Sequence, residues 1–212
     1  MAKLFPSLCL VAVLALPIGA ERATGSARGL YVKRAVDGDT LLLSNKVKVR
    51  LIGIDTPEWH SSRKLRKDAE RNHRDALTIQ KLGGRSARFV KELMEGREVH
   101  LKYEKSNRVQ AHTDRYGRAL AYVFFDPPRC EELSQEMAEQ VCELDSFEKG
   151  FLNALIIEAG YANAYTRYPF SHKDEFLRLQ KQARENRRGL WKESGPLTEK
   201  FPAYTGPAGQ KT

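Results

Sequence analysis

The stretch at 36–60, VDGDTLLLSNKVKVRLIGIDTPEWH, is the part of the sequence that most limits the folds open to this chain. Its Asp37-Gly38 pair lies between two apolar runs, which is the composition of a turn in a β-hairpin. The next segment, KVKVRLIGI, predicts a third strand, because Val49 and Leu51 share one face while Arg50 lies on the other. Three short consecutive strands are therefore expected near the start of the chain.

Two further strand patterns follow. REVHLKYE, at 97–104, alternates apolar and polar residues, and TDRYGRALAYVFF, at 113–125, turns at Tyr116-Gly117 and continues as a fifth strand. A densely charged segment precedes these two strands, and we expect Gly83-Gly84 to end it. RSARFVKELMEG, which follows the glycines, should form an amphipathic helix between the third and fourth strands.

Two more helical patterns come after the fifth strand: FLNALIIEAG, ended by Gly160, and SHKDEFLRLQKQARENRRG, ended by Gly189. Five strands with a helix between the third and fourth, followed by further helices, fit a small Greek-key barrel. The sequence predicts an α+β fold, a five-stranded Greek-key OB-type β-barrel with about three flanking helices.

The first 20 residues predict a signal peptide. Lys3 supplies a positive start, an apolar stretch follows, and Gly19-Ala20 resembles a cleavage site. A retained anchor is the alternative, but the apolar stretch is short for a membrane span, which needs about 20 residues. We expect a secreted or periplasmic protein that has no stable membrane association after cleavage.

Charge is distributed unevenly along the chain. The formal net charge of +9 and a sequence pI near 9.5 favour polyanionic partners such as nucleic acid. Residues 59–84 are predicted to be a basic loop or solvated helix, and residues 129–149 an acidic appendage. The folded domain is expected to span 29–192, and the tail at 193–212 is expected to be loosely ordered.

Two cysteines remain after signal cleavage, Cys130 and Cys142. Their segment has a helical pattern, and a straight helix would place them roughly 18 Å apart. A disulfide needs Cα atoms within about 7 Å of each other. Either the segment is not one straight helix or the two cysteines do not pair; we expect no bridge.

Acidic and basic side chains accompany the predicted strands. Asp39 opens the second strand and Asp55 ends the third, so their carboxylates can approach each other at one end of a barrel. Two close carboxylates repel unless a cation lies between them, and oxygen ligands suit Ca²⁺ or Mg²⁺. Glu58 follows the rigid Pro57 and is a candidate general base. Arg50 and Arg118 carry forks that match phosphate oxygens.

These residues lie in motifs that resemble the staphylococcal nuclease family, the thermonuclease-like secreted nucleases. The motifs, in order, are DGDT, RLIGIDTPE, DRYGRALAY, LNALIIEAGYA and the final GLW. The resemblance extends from about Leu30 to Trp191, with the two charged segments as insertions. It implies an OB-type barrel and a Ca²⁺-dependent endonuclease that cleaves DNA and RNA with low sequence specificity and leaves 3′-phosphate ends.

The resemblance also implies residue roles. Asp39, Asp55 and the carbonyl of Thr56 would hold one Ca²⁺, although oxygen ligands alone also admit Mg²⁺ or Mn²⁺. Arg50 and Arg118 would bind the scissile phosphate, and Glu58 would activate water. The implied substrate-binding residues are Arg115, which stands where the family usually has Lys, Tyr116, and, with a spacing shifted by one, Tyr165 and Tyr168.

Other functions stay open at this point. The same basic barrel face would suit a non-catalytic OB-fold module that binds single-stranded nucleic acid. A weaker alternative is an assembly protein that docks a partner on the acidic segment. The Asp37-Gly38-Asp39 run also occurs as a plain hairpin turn. We favour a monomeric nuclease acting on DNA and RNA.

Overall fold

A five-stranded sheet flanked by helices forms the centre of the protein. The structure is a computed structural model, and it describes residues 29–60, 70, 76–105 and 112–193. Outside these residues lie the predicted signal peptide and most of the basic segment. The predicted tail also lies outside them, except for residue 193. Among the described residues, no helix is both long enough and apolar enough to cross a bilayer.

The strands are short, as the turn-rich sequence requires. Their bounds are β1 Val32–Asp37, β2 Thr40–Leu43, β3 Lys48–Leu51, β4 Ile54–Asp55, β5 His100–Lys102, β6 Ala119–Phe124 and β7 Asn163–Ala164. The α-helices are α1 Ala76–Met94, α2 Gln135–Val141, α3 Asp145–Glu148, α4 Leu152–Glu158 and α5 Lys173–Glu185, with 3-10 turns at Cys130–Glu132 and Gly189–Glu193.

The main sheet has the order β1-β2-β3-β6-β5, and β4 pairs separately with β7. Strands β1, β2 and β3 form an antiparallel meander, and β3 pairs with β6 in parallel. Among the residues that the structure describes, the strand ladders do not close into a barrel. The two edges approach each other at an isolated bridge between Tyr31 and Glu98, where the Val32 amide donates to the Arg97 carbonyl at 2.9 Å.

The α+β class and the five-stranded sheet are therefore as predicted. The described residues contain five α-helices rather than about three, because the acidic segment contributes α2 and α3.

The core lies between the sheet and helices α1, α4 and α5. Every residue of α4 is buried, and α5 buries Phe176 and Leu179 against it. Burying an aliphatic or aromatic side chain of this size contributes about 1.5–3 kcal/mol. Asn153 is a fully buried polar side chain in this core: it donates to the Ile52 carbonyl at 2.9 Å and accepts from the Val123 amide at 2.9 Å. These bonds offset the cost of its burial.

The prediction that Gly83-Gly84 would break a helix is wrong. Helix α1 runs without interruption through both glycines, so residues 76–84 are not a basic loop but the first turns of this helix, with Ile79 and Leu82 buried. Glycine lowers helix stability by only about 1 kcal/mol relative to alanine, which tertiary packing outweighs. At Gly83 the packing is against another backbone segment, described below.

The acidic segment is not an appendage. Its apolar residues join the main core: Met137, Val141, Leu144 and Phe147 are all buried there. The buried Glu158 of α4 accepts from the Ser146 amide at 3.0 Å and so holds the start of α3. The acids remain on the outer side of these short helices.

The expectation that Cys130 and Cys142 would not pair is also wrong, because they form a disulfide with Cα atoms 6.1 Å apart. The segment is not one straight helix. The 3-10 turn ends at Leu133, where the backbone is extended, and α2 begins after Ser134, whose side chain accepts from the Met137 amide. This change of direction brings the two cysteines together.

Reduction of this disulfide should lower the free energy of unfolding by about 3 kcal/mol, because the bridge closes a loop of 12 residue steps. Urea unfolding with and without reductant measures the difference. The double variant Cys130→Ser with Cys142→Ser should match the reduced protein and ignore reductant. Equal unfolding midpoints for oxidised and reduced protein would contradict this expectation.

Candidate active site

Two carboxylates and one guanidinium meet at the end of the β1–β2 hairpin. Arg50 of β3 lies directly across from Thr40 of β2 in the sheet register. One of its terminal nitrogens forms an ion pair with the Asp39 carboxylate, and the other binds Asp55 Oδ1 at 3.1 Å. Strand pairing therefore brings together three residues that the sequence placed on different strands.

Asp39 is nearly enclosed, with 5% of its surface exposed. The Thr40 hydroxyl donates to Oδ1 at 2.9 Å, and the amide and hydroxyl of Thr56 donate to Oδ2 at 3.2 and 3.1 Å. A buried carboxylate is stable only when donors or cations meet it in this way. Burial alone would lower the pKa of Arg50, but the charges of Asp39, Asp55 and Asp37 raise it overall, so Arg50 stays charged.

Arg118 stands on the other side of Thr40. Its Nη1 donates to the Thr40 hydroxyl at 3.3 Å, so one hydroxyl links Arg118 to Asp39. Asp114 fixes the rest of the side chain, accepting from Arg118 Nε at 2.7 Å, and its other oxygen accepts from the amides of Tyr116 and Arg118. About a quarter of the Arg118 side chain stays exposed, at 27%.

The pKa of Asp114 reflects these bonds. Burial would raise it, but hydrogen bonds from the backbone and side chain of Arg118 and from the Tyr116 amide lower it below the usual value. The interaction therefore stabilises the fold fully above the unfolded pKa of about 3.9 and is lost as the pH falls through the lower folded pKa. Around neutral pH, Asp114 holds Arg118 in place.

Glu58 lies on the loop that leaves β4. Two residues earlier, Thr56 binds Asp39, so this loop begins at the carboxylate pair. The Glu58 side chain is partly exposed and accepts from the His60 amide at 3.4 Å. Its backbone packs against helix α1 at Gly83.

The four predicted substrate-binding residues form two separate groups. Tyr116 is 68% exposed, with the guanidinium carbon of Arg115 4.8 Å and that of Arg118 5.5 Å from its ring centre. Tyr165 and Tyr168 have ring centres 6.2 Å apart, and Tyr168 is exposed. Thus Tyr116 lies beside Arg118, while the second pair follows strand β7.

Strand pairing places Tyr165 near Asp55. Asp55 pairs with Asn163 across β4 and β7, and the Tyr165 amide donates to the Gly53 carbonyl at 2.7 Å. Burial raises the pKa of the Tyr165 hydroxyl, a hydrogen bond with Arg167 opposes the rise, and the charge of Asp55 adds to it. The hydroxyl therefore stays protonated at physiological pH.

The donor chemistry at the carboxylates fits a hard divalent cation. Asp39 and Asp55 both form ion pairs with Arg50, so their carboxylates already face one positive charge. Both can also supply oxygen ligands to a metal ion. The Thr56 carbonyl would supply a third oxygen, with water completing the shell, as Ca²⁺ and Mg²⁺ prefer. In the described part of the chain, no three His, Cys, Asp or Glu side chains lie so that together they could hold a metal ion. A cation here would share carboxylate oxygens with Arg50.

Sequence reasoning missed two supports of the site. Asp114 is the first; an Asp ahead of a Tyr-Gly turn is a recognisable signal, since Asp often accepts from amides two residues on. Ser86 is the second. A Cβ at Gly38 would lie 2.8 Å from Ser86 Cβ and 2.8 Å from Thr56 Cγ2, so α1 packs directly on the DGDT turn. No local pattern predicts that contact.

Several known proteins are similar in sequence to this chain over most of its length. The thermonuclease of Staphylococcus intermedius is 28% identical over 178 residues, which are 81% of this chain and 82% of that protein. The thermonuclease of Staphylococcus hyicus is 27% identical over 164 residues, 76% of this chain and 73% of that protein. An uncharacterized protein of Methanocaldococcus jannaschii is 29% identical over 166 residues, 76% of this chain and 70% of that protein.

A family model described as staphylococcal nuclease homologue matches residues 48–193. The match begins at β3, which supplies Arg50, and ends in the last 3-10 turn, so it includes Asp55, Glu58 and Arg118. It spans more than half of the sequence. The chain therefore belongs to the staphylococcal nuclease homologue family.

Proposed function

We propose that this protein is a metal-dependent nuclease that hydrolyses phosphodiester bonds in DNA and RNA with low sequence specificity. One observation supports this most directly: Asp39, Asp55 and Arg50 converge, and Thr40 joins Arg118 to the same cluster. Two relatives named thermonucleases, similar over most of this chain, support the same reaction class.

In this proposal the cation is Ca²⁺, held by Asp39, Asp55 and the Thr56 carbonyl. When bound, it would supply positive charge for the phosphate oxygens. Both the family resemblance and the all-oxygen donors support Ca²⁺, although the donors themselves also suit Mg²⁺ or Mn²⁺.

The two arginines would bind the scissile phosphate. The Arg50 guanidinium pairs with Asp39, and Arg118 is connected to the same carboxylate through the Thr40 hydroxyl. Negative charge grows on the non-bridging phosphate oxygens in the transition state, and fixed guanidinium donors stabilise it more than the ground state. One such donor contributes about 3–4 kcal/mol.

Glu58 would take a proton from the attacking water. The water oxygen forms a bond to phosphorus while the bond from phosphorus to the 5′ oxygen breaks. The departing 5′ oxygen takes a proton from solvent, which leaves a 3′-phosphate and a 5′-hydroxyl. A positioned general base contributes about 10²- to 10⁴-fold in rate. Bases would stack on Tyr116, Tyr165 and Tyr168, and Arg115 would bind a neighbouring phosphate.

The disulfide supports a destination outside the cytoplasm, since such bridges persist in oxidising compartments. With the signal-peptide pattern at 1–20, it favours a secreted or periplasmic nuclease. We also propose that the five-stranded sheet is a Greek-key OB-type barrel. The Tyr31–Glu98 bridge, where the two edges of the sheet approach each other, supports this.

Digestion assays test the proposal. Purified protein should cleave denatured DNA and RNA in Ca²⁺ at alkaline pH and lose this activity in chelator, and end analysis should find 3′-phosphates. Mg²⁺ and Mn²⁺ serve as comparison ions. If both substrates stay intact in every ion while single strands still bind, the protein is the non-catalytic binding module.

Asp39→Asn should weaken Ca²⁺ affinity by about tenfold or more, because ligand charge sets affinity at such sites. The fold should persist, since an amide oxygen can still accept from Thr56 and the Thr40 hydroxyl can accept from the amide nitrogen. Isothermal calorimetry measures the affinity and circular dichroism the fold. Asp126→Asn makes the same exchange at an exposed position. Unchanged Ca²⁺ affinity in Asp39→Asn would contradict the assigned ligands.

A further inference from the structure

Helix α1 contacts the backbone of the Glu58 loop without any side chain in between. A Cβ built on Gly83 would lie 2.6 Å from the Pro57 carbonyl oxygen, 2.7 Å from the Glu58 carbonyl carbon and 2.8 Å from the Trp59 nitrogen. All three are backbone atoms, so they can move only if the loop moves. The next glycine differs: a Cβ on Gly84 would meet Trp59 Nε1 at 3.4 Å, an ordinary contact.

The backbone conformation does not require glycine at position 83. Gly83 lies inside a continuous α-helix and is not among the residues with positive φ. Alanine in a helix interior is favoured over glycine by about 1 kcal/mol. The space that glycine leaves, rather than its conformational freedom, therefore explains its use here.

The same loop is also held by the candidate site at Asp39 and Asp55. Thr56 binds Asp39 through its amide and its hydroxyl, and Asp55 pairs with Asn163. From α1, the Gln80 side-chain amide donates to the Trp59 carbonyl at 3.4 Å. The segment from Asp55 to Trp59 is thus attached to Asp39 at one end and to α1 at the other, and Glu58 lies within it.

We propose that Gly83 is a positioning residue for Glu58: by lacking a side chain, it sets the distance between helix α1 and the Glu58 loop, the segment from Asp55 to Trp59. This inference rests on the proposed nuclease function. Restoring an ordinary contact of 3.4 Å would require the loop to move by roughly 0.6–0.8 Å. A displacement near 1 Å can cost about 10²-fold in rate.

The first test compares Gly83→Ala with Gly84→Ala in the full chain. Both changes add one methyl group to the same helix and raise helix propensity equally. Gly83→Ala should lower kcat on single-stranded DNA by about 10- to 100-fold with KM within about twofold. Gly84→Ala should keep kcat near wild type. Equal kcat values in the two variants would overturn the inference.

A second comparison separates positioning from general damage. If Gly83 acts through Glu58, adding Gly83→Ala to Glu58→Gln should cause no further loss of kcat, because the general base is already absent. Structural damage would lower the residual activity again, and that result would refute the positioning role.

Two controls keep the result interpretable. If Gly83→Ala does not fold, Gln80→Ala loosens the same loop without adding an atom and should lower kcat by about twofold to tenfold; an unchanged kcat would overturn the inference. If wild type does not cleave, the nuclease proposal fails. The positioning inference is then judged from crystal structures: a Glu58 Cα shift above about 0.5 Å in Gly83→Ala but not in Gly84→Ala supports it, and no shift refutes it.

Discussion

Glu58→Gln should lower kcat on single-stranded DNA by about 10²- to 10⁴-fold, the largest effect expected of any single change in this protein. A glutamine side chain cannot accept the proton of the attacking water. Its amide oxygen can still accept from the His60 amide, as the Glu58 carboxylate does at 3.4 Å, so the loop should keep its conformation. Affinity for the DNA should change little, because a general base contributes mainly in the transition state.

Steady-state cleavage of a fluorescent oligonucleotide in saturating Ca²⁺ measures kcat and KM for this variant. Glu143→Gln is a matched control, since it makes the same exchange on an exposed side chain of the acidic segment. Cleavage by Glu58→Gln within threefold of wild type would show that another group activates the water.

Arg118→Lys should lower kcat by about 10²- to 10³-fold. Lysine keeps the positive charge but loses the planar fork that can bind two phosphate oxygens. In the native protein Asp114 orients the guanidinium, accepting from Arg118 Nε at 2.7 Å and from Nη2 at 2.7 Å. A lysine side chain cannot make both of these bonds in the same geometry. Arg129→Lys, on an 80% exposed side chain, is the matched control and should cleave like wild type.

A structural role of Arg118 in its turn would give a different result. Asp114→Asn keeps an oxygen that accepts from the Tyr116 and Arg118 amides, which lie at 2.9 and 3.0 Å, but weakens the hold on the guanidinium. We expect it to lose less activity than Arg118→Lys. If Asp114→Asn loses as much kcat and its melting temperature falls in parallel, Arg118 acts through the turn and not on the phosphate.

Part of the site follows from local sequence. Asp39 lies beside a hairpin turn and Arg50 on the next strand, so simple antiparallel pairing brings them together, and the structure has this arrangement. The predicted hairpin, the turn at Tyr116-Gly117 and the fifth strand are confirmed for the same reason. Their periodicity and turn residues act over only a few positions.

The acidic segment shows where local reasoning fails. The helical pattern at 130–142 is real only from Gln135 to Val141, and the extended backbone at Leu133 lets the cysteines meet. Phe147 is buried in the main core, and its helix α3 packs against α4, which comes later in the chain. A short stretch of sequence does not show which distant residues its apolar side chains will pack against.

The sequence by itself determined the sheet-forming segments, because strand alternation and turn chemistry act between near neighbours. It also identified the family, through motifs that resemble it, and that resemblance named the candidate site residues. Only the tertiary structure decided the disulfide, the continuity of helix α1 through Gly83-Gly84 and the contact of that helix with the Glu58 loop. These features depend on whether two distant backbone segments approach within a few ångströms. Close packing of the whole core sets that distance, and no local preference does.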